Sequence, residues 1–195
     1  EKTGVDSKRV WRAYQEGEER YRAFTADLGD RINNLRMEEI FDLGTPCPST
    51  TENNHRYTVA FIGRPYNLFD PFVNKDLLTL AKGWGVQIVT SDTIPFQERE
   101  RRVSALSKEI YWETAREIVG SILSFAEQGS VDGIVFITSF KCGIDALMQE
   151  FLRRTVGMNK RLDIPFMTLT FDEHTAVEGV KTRLEAFLDL ISQRQ

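Results

Sequence analysis

From residue 57 onward, short apolar stretches alternate with longer segments whose apolar residues recur every three to four positions. Residues 57–62, 86–90, 134–138 and 164–171 are apolar and rich in β-branched or aromatic types, the composition of strands covered on both faces. Residues 72–84, 105–128 and 181–192, and the segment beginning at Ile144, carry helical spacing instead. Gly85 and Gly129 sit where a helix must turn into the next strand. Strand–helix units in succession predict an α/β domain with three layers, Rossmann-like, built on a four-stranded parallel sheet. Each crossover is expected to be right-handed, and the expected strand order is 2-1-3-4.

Before this region the pattern is different. Over residues 6–35, Val10, Trp11, Tyr14, Tyr21, Phe24, Leu28, Ile32 and Leu35 fall on helical spacing among many charges, which predicts a long amphipathic helix with Gly17 or Gly29 as a candidate break. A short helical piece follows at residues 37–42. Residues 44–55 are turn formers and polar residues, the composition of a surface loop, and hold Cys47 between Pro46 and Pro48. Two prolines stiffen the backbone around that sulfur. The expected organisation is a helical extension over 1–43, a cysteine-containing linker over 44–56 and an α/β domain over 57–195. The charged run at residues 98–102 reads as a solvated loop.

Composition narrows the function classes. The chain has 195 residues, 41% of them hydrophobic, enough for one well-buried core. A net charge of −4 and no basic cluster interleaved with aromatics argue against a nucleic-acid partner. No apolar run approaches a membrane span, and the first residues show neither a signal region nor an initiator Met, so a cytoplasmic chain that is part of a longer protein is expected. Two cysteines are too few for a disulfide scaffold, and free thiols are the expectation.

In open parallel sheets ligands gather beyond the carboxyl ends of the strands. Those loops hold Arg64, Tyr66 and Asn67 after the first strand and Asp92 after the second. Ser139, Lys141, Cys142 and Asp145 follow the third, and Asp172, Glu173 and His174 the fourth. Cys142, followed by Gly143 where a strand hands over to a helix, is a thiol set at the positive end of a helix dipole, suited to a soft metal or an electrophile. The plainer reading is a small buried residue in a tight turn. Arg64 has Asp70 or Asp172 as pairing candidates, and Asp145 and Asp172 are candidate helix caps. His174, beside two carboxylates but without metal-ligand spacing, reads as a base, a ligand or a surface residue. Neither a dinucleotide fingerprint nor a phosphate-binding Gly-Lys-Ser/Thr loop is present.

Three separated motifs, Gly63-Arg-Pro-Tyr with Asp70, Ser139-Phe-Lys-Cys-Gly-Ile-Asp145, and Asp172-Glu-His-Thr with Gly179 and Thr182-Arg-Leu-Glu-Ala-Phe187, occur in this order. Together they resemble the acyl-CoA dehydratase activase-related proteins. These are dehydratase-like domains of CoA-substrate-specific enzyme activases, relatives of the subunits of 2-hydroxyglutaryl-CoA dehydratase. The resemblance spans residues 57–190. It implies an iron–sulfur redox module (4Fe–4S or double-cubane) that takes low-potential electrons from an ATP-hydrolysing activator domain or subunit, with an acyl-CoA or other small molecule as substrate. On that resemblance Cys142 is the leading metal ligand and Cys47 the second. Arg64, Tyr66, Ser139, Lys141, Gly143, Asp172 and His174 would line the cofactor site.

The chain departs from the family in thiol count, since a cluster takes about three or four cysteine ligands and only two cysteines are present. Two further classes stay open. One is a ligand-binding or docking module without a cluster, in which Arg64 and Lys141 meet an anionic group. The other is a Cys142 nucleophile served by His174 as base.

Overall fold

The computed structural model describes residues 6–35, 37–42, 46, 55–159, 162 and 164–194. Cys47 and most of the 44–54 stretch lie outside them.

Strands β1 (Tyr57–Gly63), β2 (Val86–Val89), β3 (Gly133–Ser139) and β4 (Phe166–Phe171) form one parallel sheet in the order β2-β1-β3-β4, the order expected. The register sets Ala60 against Val89 on one side and Ile134 on the other, and Ile137 against Leu169. The central strands β1 and β3 are buried on both faces, which is why they read as continuous apolar runs rather than alternating ones.

Eight helices are described: α1 (Ser7–Asn34), α2 (Pro65–Phe69), α3 (Pro71–Asn74), α4 (Leu77–Gly83), α5 (Phe96–Ser104), α6 (Glu113–Gln128), α7 (Gly143–Leu152) and α8 (Val177–Ser192). Side chains alternate across a strand, so β1 and β3 feed two apolar layers. Val59, Phe61, Val135 and Ile137 pack with α4, α8 and the end of α1, while Ala60, Ile62, Ile134 and Phe136 pack with α6 and α7.

Helix α1 is unbroken at Gly17 and Gly29. Its first half is exposed and its last turns enter the core through Leu28, Ile32 and Leu35. The C-terminal carbonyls of Ile32 and Leu35 accept from Lys82 Nζ at 2.9 and 2.7 Å, a cation at the negative end of the helix. Burial holds the Lys82 ammonium below its usual range. Arg31, also buried, donates to the carbonyls of Glu39, Ile40 and Asp42 and so folds the chain back after the helix.

Three segments differ from their sequence reading. The helix expected over 72–84 is two pieces, because Lys75 and Asp76 adopt the left-handed conformation between α3 and α4, and Asp70 caps α3 by accepting from Phe72 and Val73 N–H. The charged run 98–102 is not a loop but lies in α5, where Glu98 pairs with Arg101 and Arg102 one turn on. The helix expected from residue 105 starts at Glu113. α5 carries a single buried residue, Val103, too little apolar content to mark it among its charges, and it crosses α6 at Gly120, where a Cβ would lie 2.6 Å from the Arg99 carbonyl oxygen.

Candidate functional site

The carboxyl ends of β1 and β3 are adjacent in the sheet, at the point where the chain's strand order reverses direction. Arg64 leaves β1 as the residue before α2, and Cys142 leaves β3 as the N-cap of α7. Lys141, in the left-handed conformation at φ 65°, makes the turn between strand and helix. The Cys142 N–H donates to the Ser139 carbonyl at 3.2 Å and closes it.

Asp145 stands in the first turn of α7, three residues past Cys142, so helical geometry brings it back beneath the N-cap. Its carboxylate is buried, with 2% of the side chain exposed, and it accepts from Arg64 Nε at 3.1 Å and from Nη2 at 3.0 Å. The same Nη2 lies 3.9 Å from Cys142 Sγ. The hydrogen bonds to Asp145 hold the Arg64 guanidinium above its usual range and thus firmly charged. A part-exposed free thiol is therefore set at a helix N-terminus beside a fixed cation. Arg64 does not pair with Asp70 or Asp172, and Asp145 is an ion-pair partner rather than a cap.

Ser139 Oγ donates to Asn67 Oδ1 at 2.8 Å, tying the end of β3 to α2. Asn67 is wholly buried, and its Nδ2 has no partner. Tyr66 and Gly143 are exposed at the rim, and Lys141 Nζ lies 5.5 Å from the centre of the exposed Phe140 ring.

The fourth strand's loop is a separate feature. Asp172 Oδ1 accepts from Thr175 Oγ1 at 2.7 Å and from the His174 N–H at 3.0 Å, so it caps its own turn rather than α8. These bonds, the Thr175 hydroxyl first, hold the Asp172 carboxyl below its usual range. The His174 side chain is 87% exposed, 3.8 Å from Glu173, and no hydrogen bond or ion pair among the described residues joins it to Cys142 or Arg64. The surface reading of His174 fits this placement.

Beyond β2, Ser91 Oγ and Arg99 Nη1 both reach Glu117 Oε1 at 3.0 Å, and Thr90 Oγ1 reaches Asp92 Oδ2 at 3.3 Å. Burial pushes the Asp92 carboxyl up. This cluster anchors α5 and α6 to the sheet edge.

Of the predicted residues, then, the fold joins Arg64 to Cys142 and seats Ser139 nearby. It sets Asp145 and Asn67, also among the strand-end residues, as the buried supports beneath them. Among the described residues no group of three or more His, Cys, Asp or Glu side chains is placed to hold a metal ion. No helix among them is long and apolar enough to cross a membrane.

Residues 1–94 match the family described as "CoA enzyme activase uncharacterised domain". The match takes in α1, β1, α2 to α4 and β2, and it overlaps the resemblance carried by the motifs over residues 57–94. Cys142 and Asp145 lie beyond it. No curated protein matches the chain.

Proposed function

The chain carries a CoA enzyme activase-related domain, and from that premise we propose that it is a redox module of an activase system in which Cys142 supplies one thiolate ligand to an iron–sulfur cluster. The supporting observation is the placement of Cys142 Sγ, part-exposed at the N-terminus of α7 and 3.9 Å from an Arg64 guanidinium fixed by buried Asp145. A cluster takes about three or four cysteine ligands, so the described residues make only part of such a site. Cys47 and cysteines of a partner domain or subunit complete the set in this reading.

When bound, the cluster would supply low-potential electrons for an acyl-CoA or similar substrate, received from an ATP-hydrolysing partner. The chain's own contribution is electrostatic and positional. Arg64 and the N–H groups of the first turn of α7 would face the negative charge of a thiolate-bound centre, and Asp145 keeps Arg64 in place. Lys141, held out by its left-handed turn, adds a second cation at the rim.

The incomplete donor set favours a second reading, a ligand-binding or docking module without a cluster. Anaerobic reconstitution with iron and sulfide separates the two. Stoichiometric iron and a visible charge-transfer band in the chain, lost in Cys142→Ala and reduced in Cys47→Ala, support the redox module. A chain that takes up no iron, alone and within a longer protein that contains it, rules the redox module out and leaves the second reading.

A further inference from the structure

The sheet treats its two edges differently. On β2, the outward-facing Ile88 donates its N–H to Asn33 Oδ1 at 2.8 Å, and its carbonyl accepts from Asn33 Nδ2 at 2.9 Å. The amide group of α1 thus occupies the place of a neighbouring strand and closes that edge.

Among the described residues no side chain covers the β4 edge in this way. The Pro165 and Phe171 carbonyls accept from Ile134 and Phe140 N–H on the β3 side, at 2.9 and 2.8 Å. By the two-residue period of a strand, Met167 and Leu169 face the same way, and Phe166, Thr168 and Thr170 turn their N–H and C=O groups outward. No hydrogen bond among the described residues reaches those groups. The strand Phe166–Phe171 contains no charge and no proline, and its register with β3 runs without a bulge. It therefore lacks the charges, prolines and bulges that keep an edge strand from pairing. Beside it lies a groove of about 250 Å³ between β4 and α8, lined by Leu169, Phe171, Ala176 and Val180 together with Thr175 and Arg183.

We propose that β4 pairs antiparallel with β4 of a second copy of the chain, with Thr168 opposite Thr168 across a two-fold axis. This register uses all three outward residues as hydrogen-bonded pairs, since Phe166 falls opposite Thr170 of the copy and the reverse. On the α8 face Met167 of the copy falls opposite Leu169, an apolar side chain at the mouth of the groove. No like charges oppose each other, so the strand is complementary to itself. Asn33 also decides the size of the assembly. With the β2 edge closed, β4 has only another β4 to meet, and the sheet doubles once instead of growing head to tail.

Light scattering on the eluting chain, with hydrogen exchange, tests this. The expected mass is twice the 22.4 kDa of one chain, with slowed exchange at Phe166, Thr168 and Thr170 N–H. Thr168→Pro removes an outward N–H and leaves the β3 ladder intact, and Thr168→Lys sets like charges across the axis. Both should give the one-chain mass with an unchanged far-UV spectrum, and Thr168→Lys carries the test if the proline variant fails to fold. Thr168→Cys, with Cys47 and Cys142 replaced by Ser, should form a disulfide-linked dimer on mild oxidation. A one-chain mass for the unaltered protein at submillimolar concentration overturns the proposal, as does a dimer that persists in folded Thr168→Lys.

Discussion

Arg64 and Asp145, separated by 81 residues in the chain, meet in a two-point ion pair beneath Cys142, with Nε and Nη2 at 3.1 and 3.0 Å from the same carboxylate oxygen. The two partners are unequally buried, 17% of the Arg64 side chain being exposed against 2% for Asp145. Removing the cation should therefore cost more than removing the anion. Arg64→Met strands a buried carboxylate and is expected to lower stability by roughly 3–5 kcal/mol. Asp145→Asn keeps a hydrogen-bond acceptor and leaves the cation near solvent, at about 1.5–3 kcal/mol. Urea denaturation of both variants checks the order.

The same cation should steer small reagents toward the thiol. Iodoacetate, which is anionic, is expected to alkylate Cys142 faster relative to neutral iodoacetamide than it does a free thiol, and Arg64→Met should erase that preference. Mass spectrometry of the Cys142 peptide over time gives the ratio. An unchanged ratio would mean that the 3.9 Å contact carries no electrostatic weight.

Gly120 is where α5 and α6 touch. A Cβ there would sit 2.6 Å from the Arg99 carbonyl oxygen, a backbone atom that cannot swing aside. Gly120→Ala should separate the helices and cost about 1–3 kcal/mol, despite the better helix propensity of Ala. Thermal unfolding reads this directly, and a stabilised variant would show that the helices move apart at little cost.

Asp92 makes stability depend on pH in a defined direction. Burial raises its pKa in the folded chain above the ordinary carboxylate value, so the folded state holds the proton more tightly than the unfolded one. Stability from this group is fully present below the ordinary value and is lost as pH rises through the raised one. Asp92→Asn should then be more stable than the parent at neutral pH, with the gap closing in acid. Melting temperatures from pH 3 to 8 measure it.

Asn33 holds the β2 edge through two hydrogen bonds to Ile88. Asn33→Leu leaves both backbone groups without a partner and should cost about 1–3 kcal/mol. It should also expose a second pairing edge, so light scattering is expected to show species larger than those of the parent chain.

Much of this fold is written in local pattern. The apolar runs at β1 and β3, the spacing of α1 and α8, and the glycines at residues 85 and 129 state where strands and helices lie, because burial on both faces and helical period are properties of neighbouring residues. Parallel strands all point their carboxyl ends the same way, which places Arg64 and Cys142 at one end of the sheet, and the order β2-β1-β3-β4 makes them neighbours there. α5 stayed hidden, since Phe96 and Val103, its large apolar residues, are too few to mark a buried face among so many charges.

Partnerships were decided only by the tertiary structure. Arg64 had acids closer in sequence, yet it meets Asp145 because β1 and β3 are adjacent and the first turn of α7 aims that carboxylate back under its own N-cap. Asn33 reaches Ile88, and Lys82 the end of α1, across intervals of 55 and about 50 residues that no local pattern encodes. Sequence by itself named the elements and the strand ends where chemistry gathers. Packing chose which charges are buried together and which edge of the sheet is left open, because those depend on distances between segments that only the assembled layers define.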